Sequence, residues 1–407
     1  MTEITSGIDS DVKKLGIEDV DVSNKHVLLR TDFNVPMDDQ NNITDDTRLR
    51  SVLPTINYLL DSGSKIIILS HLGRPKGKVN PKLTLAPVAK RLSRLLEKEC
   101  AIAPEVIGSK AKKMVAEMEG SSILMLENVR FHPGEEEDNQ EFAKEISDFG
   151  DIYVNDAFGN AHRKHASMSS ITKFVQPAVA GYLMIKEVNY LKRAVVNPMR
   201  PVVAILGGAK ASSKIGIIEK LLGKMDKIII GGGMAGTFHK AMGYEMGNSL
   251  VEEHLIDTAE SIVKKSSELG IHLYLPCDYV VADKFEGAAE TKVVPAQEIP
   301  SDWFALDIGP ATTALYSEGL QDAKTIVWNG PMGVFELDAF SRGTYAMVNH
   351  VANSYALTIV GGGDTDVAVH KAGESRRISY ISTGGGAFLE LLEGKDLPGL
   401  ASLTNKE

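Results

Sequence analysis

The stretch Val202-Val-Ala-Ile-Leu-Gly-Gly-Ala-Lys-Ala-Ser-Ser-Lys214 decides how this chain folds. Five apolar residues end in two glycines, and Lys210 and Lys214 follow four residues apart. Beyond them Ile215, Ile218, Leu221, Leu222 and Met225 recur at helical spacing, so the stretch reads as strand, glycine turn and helix. Ser212 and Ser213 are expected to cap that helix, with both lysines on one face of its first turns. Backbone amides at a helix N-terminus, joined by two ammonium groups, suit a phosphate. An ordinary βα turn with two solvated lysines is the alternative.

The same alternation runs outward in both directions. In the first half, His26-Val-Leu-Leu-Arg-Thr-Asp-Phe-Asn-Val-Pro36, Lys65-Ile-Ile-Ile-Leu-Ser-His-Leu-Gly-Arg-Pro75, Ile123-Leu-Met-Leu-Glu-Asn-Val-Arg-Phe131 and Asp151-Ile-Tyr-Val-Asn-Asp-Ala-Phe-Gly159 are apolar runs that break off at polar residues. Continuous runs of this kind suit strands buried on both faces of a parallel sheet. Helical patterns lie between them; Thr84 is expected to cap one, with Pro87 in its first turn and Leu85, Val88, Leu92 and Leu95 facing inward. In the second half the runs 228–234, 304–310, 326–336, 357–364 and 380–386 repeat the design with glycine-rich ends. Alternation of strand and helix indicates an α/β fold, and 407 residues call for two domains. An amphipathic stretch at 184–197, apolar at Val188, Leu191 and Val195 and closed by Pro198 and Pro201, is expected to connect them.

Parallel sheets take their ligands at the carboxyl ends of the strands. The polar residues that end the first-half runs are therefore the candidates: Asp32 and Asn34, His71 and Arg74, Arg130, then Asn155, Asp156, His162, Arg163 and His165, with Arg48 in the loop after the first run. Arginine suits bidentate capture of phosphate or carboxylate, so this rim reads as an anion site. Pairing of each arginine with a surface carboxylate such as Asp45 or Glu135 is the competing explanation. The glycine turns of the second half suit close approach of backbone to a large phosphate-bearing ligand. There Asp364 is expected as a helix cap and a candidate metal ligand, and Glu336 as an acceptor for ribose hydroxyls. Gly231-Gly-Gly-Met-Ala-Gly236, followed by Glu252, also satisfies a dinucleotide-binding pattern, which keeps a nicotinamide-dependent oxidoreductase as the alternative.

Composition narrows the partners. A net charge of −10 argues against a nucleic-acid binder, since gripping a phosphate backbone requires a basic face. No run approaches the roughly 20 apolar residues of a membrane helix. The opening Met-Thr-Glu-Ile-Thr-Ser lacks a basic segment followed by an apolar one, so it does not read as a secretory signal. The only cysteines, Cys100 and Cys277, form no metal-ligand spacing and fit a reduced, cytoplasmic setting.

Taken together, the strings resemble the phosphoglycerate kinase family. Arg30-Thr-Asp-Phe-Asn-Val-Pro, Ser70-His-Leu-Gly-Arg-Pro, Leu126-Glu-Asn-Val-Arg-Phe, Val154-Asn-Asp-Ala-Phe-Gly and Gly207-Gly-Ala-Lys look like its signatures, in order. So do Trp328-Asn-Gly-Pro-Met-Gly-Val-Phe-Glu, Gly361-Gly-Gly-Asp-Thr and Ser382-Thr-Gly-Gly-Gly-Ala. The resemblance implies two Rossmann-like domains, each a mainly parallel sheet flanked by helices: 1–185 with the tail 393–407 packed back on it, and 200–392, joined by a hinge helix at 186–199. It implies reversible phosphoryl transfer between MgATP and the carboxylate of 3-phosphoglycerate, a step of glycolysis and gluconeogenesis, by a monomer or a homodimer. By the matching motifs, Asp32, Asn34, Arg48, His71, Arg74, Arg130 and Arg163 would hold phosphoglycerate. Lys214, Gly309, Glu336, Gly362, Gly363, Asp364 and Thr365 would hold the nucleotide, with Asp364 on Mg²⁺ and with Arg48, Lys210 and Lys214 acting in catalysis. Departures from the family pattern are Ala211 and Ser213 for Val and Asp, Gly236 for Phe, Ala311 for Lys, Asn160 for Thr, Ile185 for an acid and Phe388 for Ser.

Overall fold

A computed structural model describes residues 13–406. The opening hexapeptide and the outermost ends of the ranges 1–185 and 393–407 lie outside the described residues. The chain divides into two compact units, one running to Asn189 and including Lys395 onward, the other Tyr190–Gly394.

The first unit is built on six strands: β1 (His26–Thr31), β2 (Lys65–Leu69), β3 (Cys100–Ile102), β4 (Ile123–Met125), β5 (Ile152–Asp156) and β6 (Ala178–Ala180). They lie in the order β3-β4-β2-β1-β5-β6, and every pair is parallel. Val27, Leu28, Leu29 and Ile66 to Leu69 are wholly buried, as expected of strands covered on both faces. Parallel register places Thr31 opposite Asp156, so the loops leaving β1 and β5 begin level with each other. Thr84 is not the cap of its helix, Ala86–Leu96; Leu85 holds that position, and the Thr84 hydroxyl instead donates to Glu127 at 2.6 Å. Chain past Lys395 packs back on this unit: the Thr404 amide donates to the Ala178 carbonyl at 2.8 Å, and Asn155 Nδ2 to the Gly399 carbonyl at 2.9 Å.

The helix Tyr182–Val195 starts from the first unit. Asp156 at the end of β5 accepts from the Met184 amide at 2.9 Å, and Thr55 Oγ1 accepts from the Tyr182 amide at 3.0 Å while donating to Asp156 at 2.6 Å. The division between the units falls inside this helix.

The second unit holds another parallel six-stranded sheet, formed by β7 (Val202–Leu206), β8 (Lys227–Ile230), β9 (His272–Tyr274), β13 (Thr325–Asn329), β14 (Leu357–Gly361) and β15 (Tyr380–Ser382), in the order β15-β14-β13-β7-β8-β9. Between β9 and β13 the chain makes a separate antiparallel sheet of β10 (Asp278–Ala282), β11 (Thr291–Pro295) and β12 (Phe304–Ile308), ordered β11-β10-β12. The run at 304–310 therefore ends in this small sheet, not in the parallel one that its apolar character suggested. A short apolar run has the same appearance in either setting, and pairing partners alone separate them.

Candidate active site

Asp32, His71 and Arg130 follow the carboxyl ends of β1, β2 and β4, as the sheet rule requires, whereas Arg48 falls in the first turn of the helix Thr47–Asp61 and not in the loop expected of it. The structure draws most of them into one buried cationic group. Arg130 and His71 are each 2 % exposed, and Arg48 and Arg163 are half-buried. Asp32 accepts from Arg48 Nη1 at 2.6 Å, and its other oxygen lies 3.9 Å from His71 Nδ1. Asn34 Oδ1 accepts from the Gly73 amide at 2.8 Å, which ties the loop after β1 to the loop after β2. Arg130 Nη1 donates to the Gly73 carbonyl at 2.8 Å. Arg74 stands exposed, and its side chain makes no hydrogen bond among the described residues.

Arg30 and Glu135 complete the group. Arg30, buried at 0 % inside β1, donates from Nε to Ser167 Oγ at 2.8 Å, and from Nη1 to the Thr31 carbonyl. Glu135, also at 0 %, accepts from the Ser167 amide at 2.9 Å and hydroxyl at 2.7 Å, with Arg30 Nη2 at 3.9 Å and His165 Nδ1 at 3.7 Å. Glu135, a candidate surface partner for an arginine, is a buried one. A charge inside an apolar strand run was the available signal, because a buried charge demands a partner.

The electrostatics report the crowding. His71 is held well below its ordinary pKa by burial and then by Arg30, Arg130, Arg48 and Arg163. His165 is pushed down to about 3 by burial and then by Arg130, Arg30 and Arg163. Arg130 falls to about 10, through burial and the repulsion of Arg30 and Arg163, against the attraction of Glu136 and Glu135. Buried N–H groups on Arg30 (Nη2), Arg130 (Nε and Nη2) and Arg163 (Nε) have no hydrogen-bond acceptor among the described residues. The ion pair of Arg130 Nε with Glu136, at 3.4 Å, is the nearest approach to one. Cationic donors gathered without acceptors describe a cradle for an anion rich in oxygen.

In the second unit the glycine turns line a cavity of about 520 Å³. Gly208, Gly232 and Gly333 form its backbone wall, and Leu250, Phe285, Leu306 and Val334 its apolar one. Of the nucleotide candidates, Glu336 and Asp364 reach it, both exposed. Asp364 is not the helix cap expected of it: Gly362 is, and Asp364 falls in the first turn of the helix Gly363–Lys371. Its carboxylate has no hydrogen-bond partner among the described residues and raises the pKa of Lys214. Apolar wall residues such as Phe285 carried no signal in the sequence, because a single aromatic in a loop has no period.

Thr365, Gly309 and Gly362 shape the local backbone. Thr365, wholly buried, accepts from the Gly330 amide at 2.7 Å. Gly309 caps the helix Pro310–Leu320, and a Cβ there would collide with Asp278, whose carboxylate accepts from the Thr312 amide at 2.7 Å and the Ala311 amide at 3.1 Å. Gly362 adopts φ +98°, and Gly363 has open space around it.

Strand β7 and the glycine turn stand, but Ala211–Ser213 form a short 3₁₀ turn before the helix Ile215–Leu221 begins. Lys210 and Lys214 occupy the two N-cap positions, so they do not share a helical face, and neither serine caps the helix. Lys210 is exposed and its ammonium has no partner among the described residues. Lys214 is buried; its ammonium donates to the Gly207 carbonyl and, at 2.9 Å, to the Asn329 carbonyl. Burial lowers its pKa to about 8, with Asp364 opposing. The dinucleotide pattern fails on its acid: Glu252 leaves no strand end and instead accepts from the Ser212 amide at 2.8 Å.

Comparison with known proteins agrees with this geometry over nearly the whole chain. The phosphoglycerate kinase family model matches residues 17–395. The phosphoglycerate kinase of Geotalea uraniireducens is 62 % identical over 383 residues, covering 94 % of this chain and 96 % of the relative. A solved phosphoglycerate kinase from Coxiella burnetii superposes with a TM-score of 0.86 at 43 % identity, covering 96 % of this chain and 98 % of that one. The structure of the enzyme from Pyrococcus horikoshii gives a TM-score of 0.85 at 33 % identity, with the same coverage. Nothing in these matches supports the oxidoreductase alternative. The chain belongs to the phosphoglycerate kinase family.

Proposed function

We propose that this chain is a phosphotransferase that moves the γ-phosphoryl group of MgATP to the carboxylate of 3-phosphoglycerate, reversibly, giving 1,3-bisphosphoglycerate and MgADP. What carries the assignment is the buried arginine group of the first unit, whose N–H donors lack acceptors beside a histidine held neutral. A ligand with a phosphate and a carboxylate supplies those acceptors. Arg130, Arg163 and Arg48 then bind its oxygens, Asp32 orients Arg48, and neutral His71 offers a hydrogen bond without adding charge.

On the second unit the glycine-lined cavity takes the nucleotide, with Glu336 on the ribose and Lys210 and Lys214 on the phosphates. Asp364 fits a magnesium site: the ion favours one or two carboxylates together with substrate phosphates, and this carboxylate is exposed beside the cavity and unpartnered. Mg²⁺, when bound, neutralises charge on the phosphate oxygens. A carboxylate oxygen of the phosphoglycerate forms the new bond to the γ-phosphorus as the bond to the bridging oxygen breaks, and ADP leaves with that electron pair. The attacking oxygen is already ionised, so no general base is needed. The protein contributes alignment and positive charge from Arg48, Lys210 and Lys214. Ligands held by separate units must meet, so turnover includes a hinge motion about the helix Tyr182–Val195.

The test is a coupled assay with ATP, Mg²⁺ and 3-phosphoglycerate, read as formation of 1,3-bisphosphoglycerate, with NAD alone as the control. Turnover that requires all three components is expected; its absence in folded protein refutes the assignment.

A further inference from the structure

Lys210 sits at the start of a turn that has no side-chain cap of its own. Ser213, where the family pattern has an acid, turns its hydroxyl back to the Lys210 carbonyl at 2.7 Å. The carboxylate that serves this turn comes from elsewhere in the chain. Glu252, 40 residues away, accepts from the Ser212 amide at 2.8 Å, with the Ser212 hydroxyl and the Ala211 amide also interacting with it. Burial opposes ionisation of Glu252, yet its bonds to Ser212 hold the carboxyl below its ordinary value.

Glu252 is itself anchored. Its amide donates to Thr237 Oγ1 at 3.1 Å, and Thr237 is buried in the helix Met234–Ala241 that leaves the triple-glycine turn. Two residues before Glu252, the Leu250 carbonyl would lie 2.7 Å from a Cβ on residue 236. Glycine at 236 is what lets this segment approach the helix, and side-chain carbon there would push it away. Leu250 also lines the nucleotide cavity. One short segment therefore touches the cavity wall, the glycine helix and the lysine turn.

We propose that Glu252 is a positioning residue for phosphoryl transfer: delivered by the close approach that Gly236 permits, its carboxylate holds the Ala211–Ser213 turn and thereby sets where Lys210 stands. The inference rests on the proposed function, since it concerns the lysine assigned there to the phosphates. Two unpartnered amides of a tight turn would otherwise be satisfied by water, and Lys210, exposed and without a partner, would follow the turn wherever it moved. A misplacement of about 1 Å at a charge-stabilising group costs about 10- to 100-fold in rate.

Wild type, Glu252→Ala, Glu252→Gln and Gly236→Ala should be compared by steady-state kinetics and by hydrogen exchange at the Ser212 amide. Glu252→Ala should lose about 10- to 100-fold in kcat while KM for 3-phosphoglycerate, bound by the other unit, stays within about 2-fold. Glu252→Gln should recover most of that loss, because the side-chain amide oxygen still accepts from Ser212. Combining Gly236→Ala with Glu252→Ala should cost little more than either alone, as expected of two changes acting through one contact. The Ser212 amide should exchange faster in Glu252→Ala than in wild type. Unchanged exchange in Glu252→Ala overturns the inference whatever the activity, and so does a glutamine variant as impaired as the alanine one. Wild-type protein without kinase turnover but with the exchange difference would sink the functional assignment and leave Glu252 as the holder of the turn.

Discussion

Arg130 offers the clearest separation of binding from stability, and Arg130→Met is the perturbation that exposes it. Methionine keeps much of the apolar stem and removes the guanidinium. The drop in pKa from 12.5 to about 10 is worth on the order of 3 kcal/mol against the charged form. The variant regains that amount and loses the bond to the Gly73 carbonyl, about 1.5–3 kcal/mol for a charged donor. The pair with Glu136, a partner 40 % exposed, adds less than about 1 kcal/mol. Stability of the unliganded protein should thus change by no more than about 2 kcal/mol. Binding should behave otherwise. Nε and Nη2 of Arg130 have no hydrogen-bond acceptor among the described residues, and two charge-assisted bonds to the ligand are worth about 3 kcal/mol or more, or about 100-fold in Kd. Denaturant titration measures the first quantity and calorimetric titration with 3-phosphoglycerate the second. A variant that binds 3-phosphoglycerate within about 3-fold of wild type, or that unfolds by more than about 4 kcal/mol more easily, refutes the reasoning and makes Arg130 a structural residue.

Other consequences follow from the same structure. Asp364→Asn should lower kcat/KM for MgATP by about 100-fold and raise the Mg²⁺ needed for half-maximal rate, with 3-phosphoglycerate affinity unchanged; initial rates across a magnesium series check this. Thr365→Val leaves the Gly330 amide without its acceptor and should cost about 1–3 kcal/mol in urea unfolding, and a loss below about 0.5 kcal/mol would contradict the assigned bond. His165 and His71 titrate below their ordinary value, so the unfolded chain binds protons on them that the folded chain does not. Their contribution to stability is present above about 6.5, the ordinary histidine pKa, and is lost as pH falls from there toward about 3, the value for His165. His165→Gln should flatten that slope, which unfolding midpoints at pH 5 and pH 7 will measure.

Much was legible in the residues alone. Runs such as Val27 to Leu29 and Ile66 to Leu69 are apolar without alternation, and only strands covered on both faces bury them. Once a parallel sheet is granted, Asp32, His71, Arg130 and Arg163 must leave strand ends, so their grouping follows from chain direction. Local period and local order carry that information, and neither needs a partner to be known.

What the sequence left open was decided by contacts between residues far apart in the chain. Arg30 looked like a strand residue until the fold set Ser167 beside it and Glu135 near it. Lys210 and Lys214 read as a matched pair, yet one is exposed and the other is clasped by the carbonyls of Gly207 and Asn329. Strand β12 reads like its neighbours in sequence and pairs instead in an antiparallel sheet, because apolar character does not choose a partner. Glu252 resembled the acid of a dinucleotide site and turned out to hold the lysine turn. Periodicity determines which residues are buried and which strand ends carry polar groups; only tertiary packing determines which buried donor meets which acceptor, and so where each charge comes to rest.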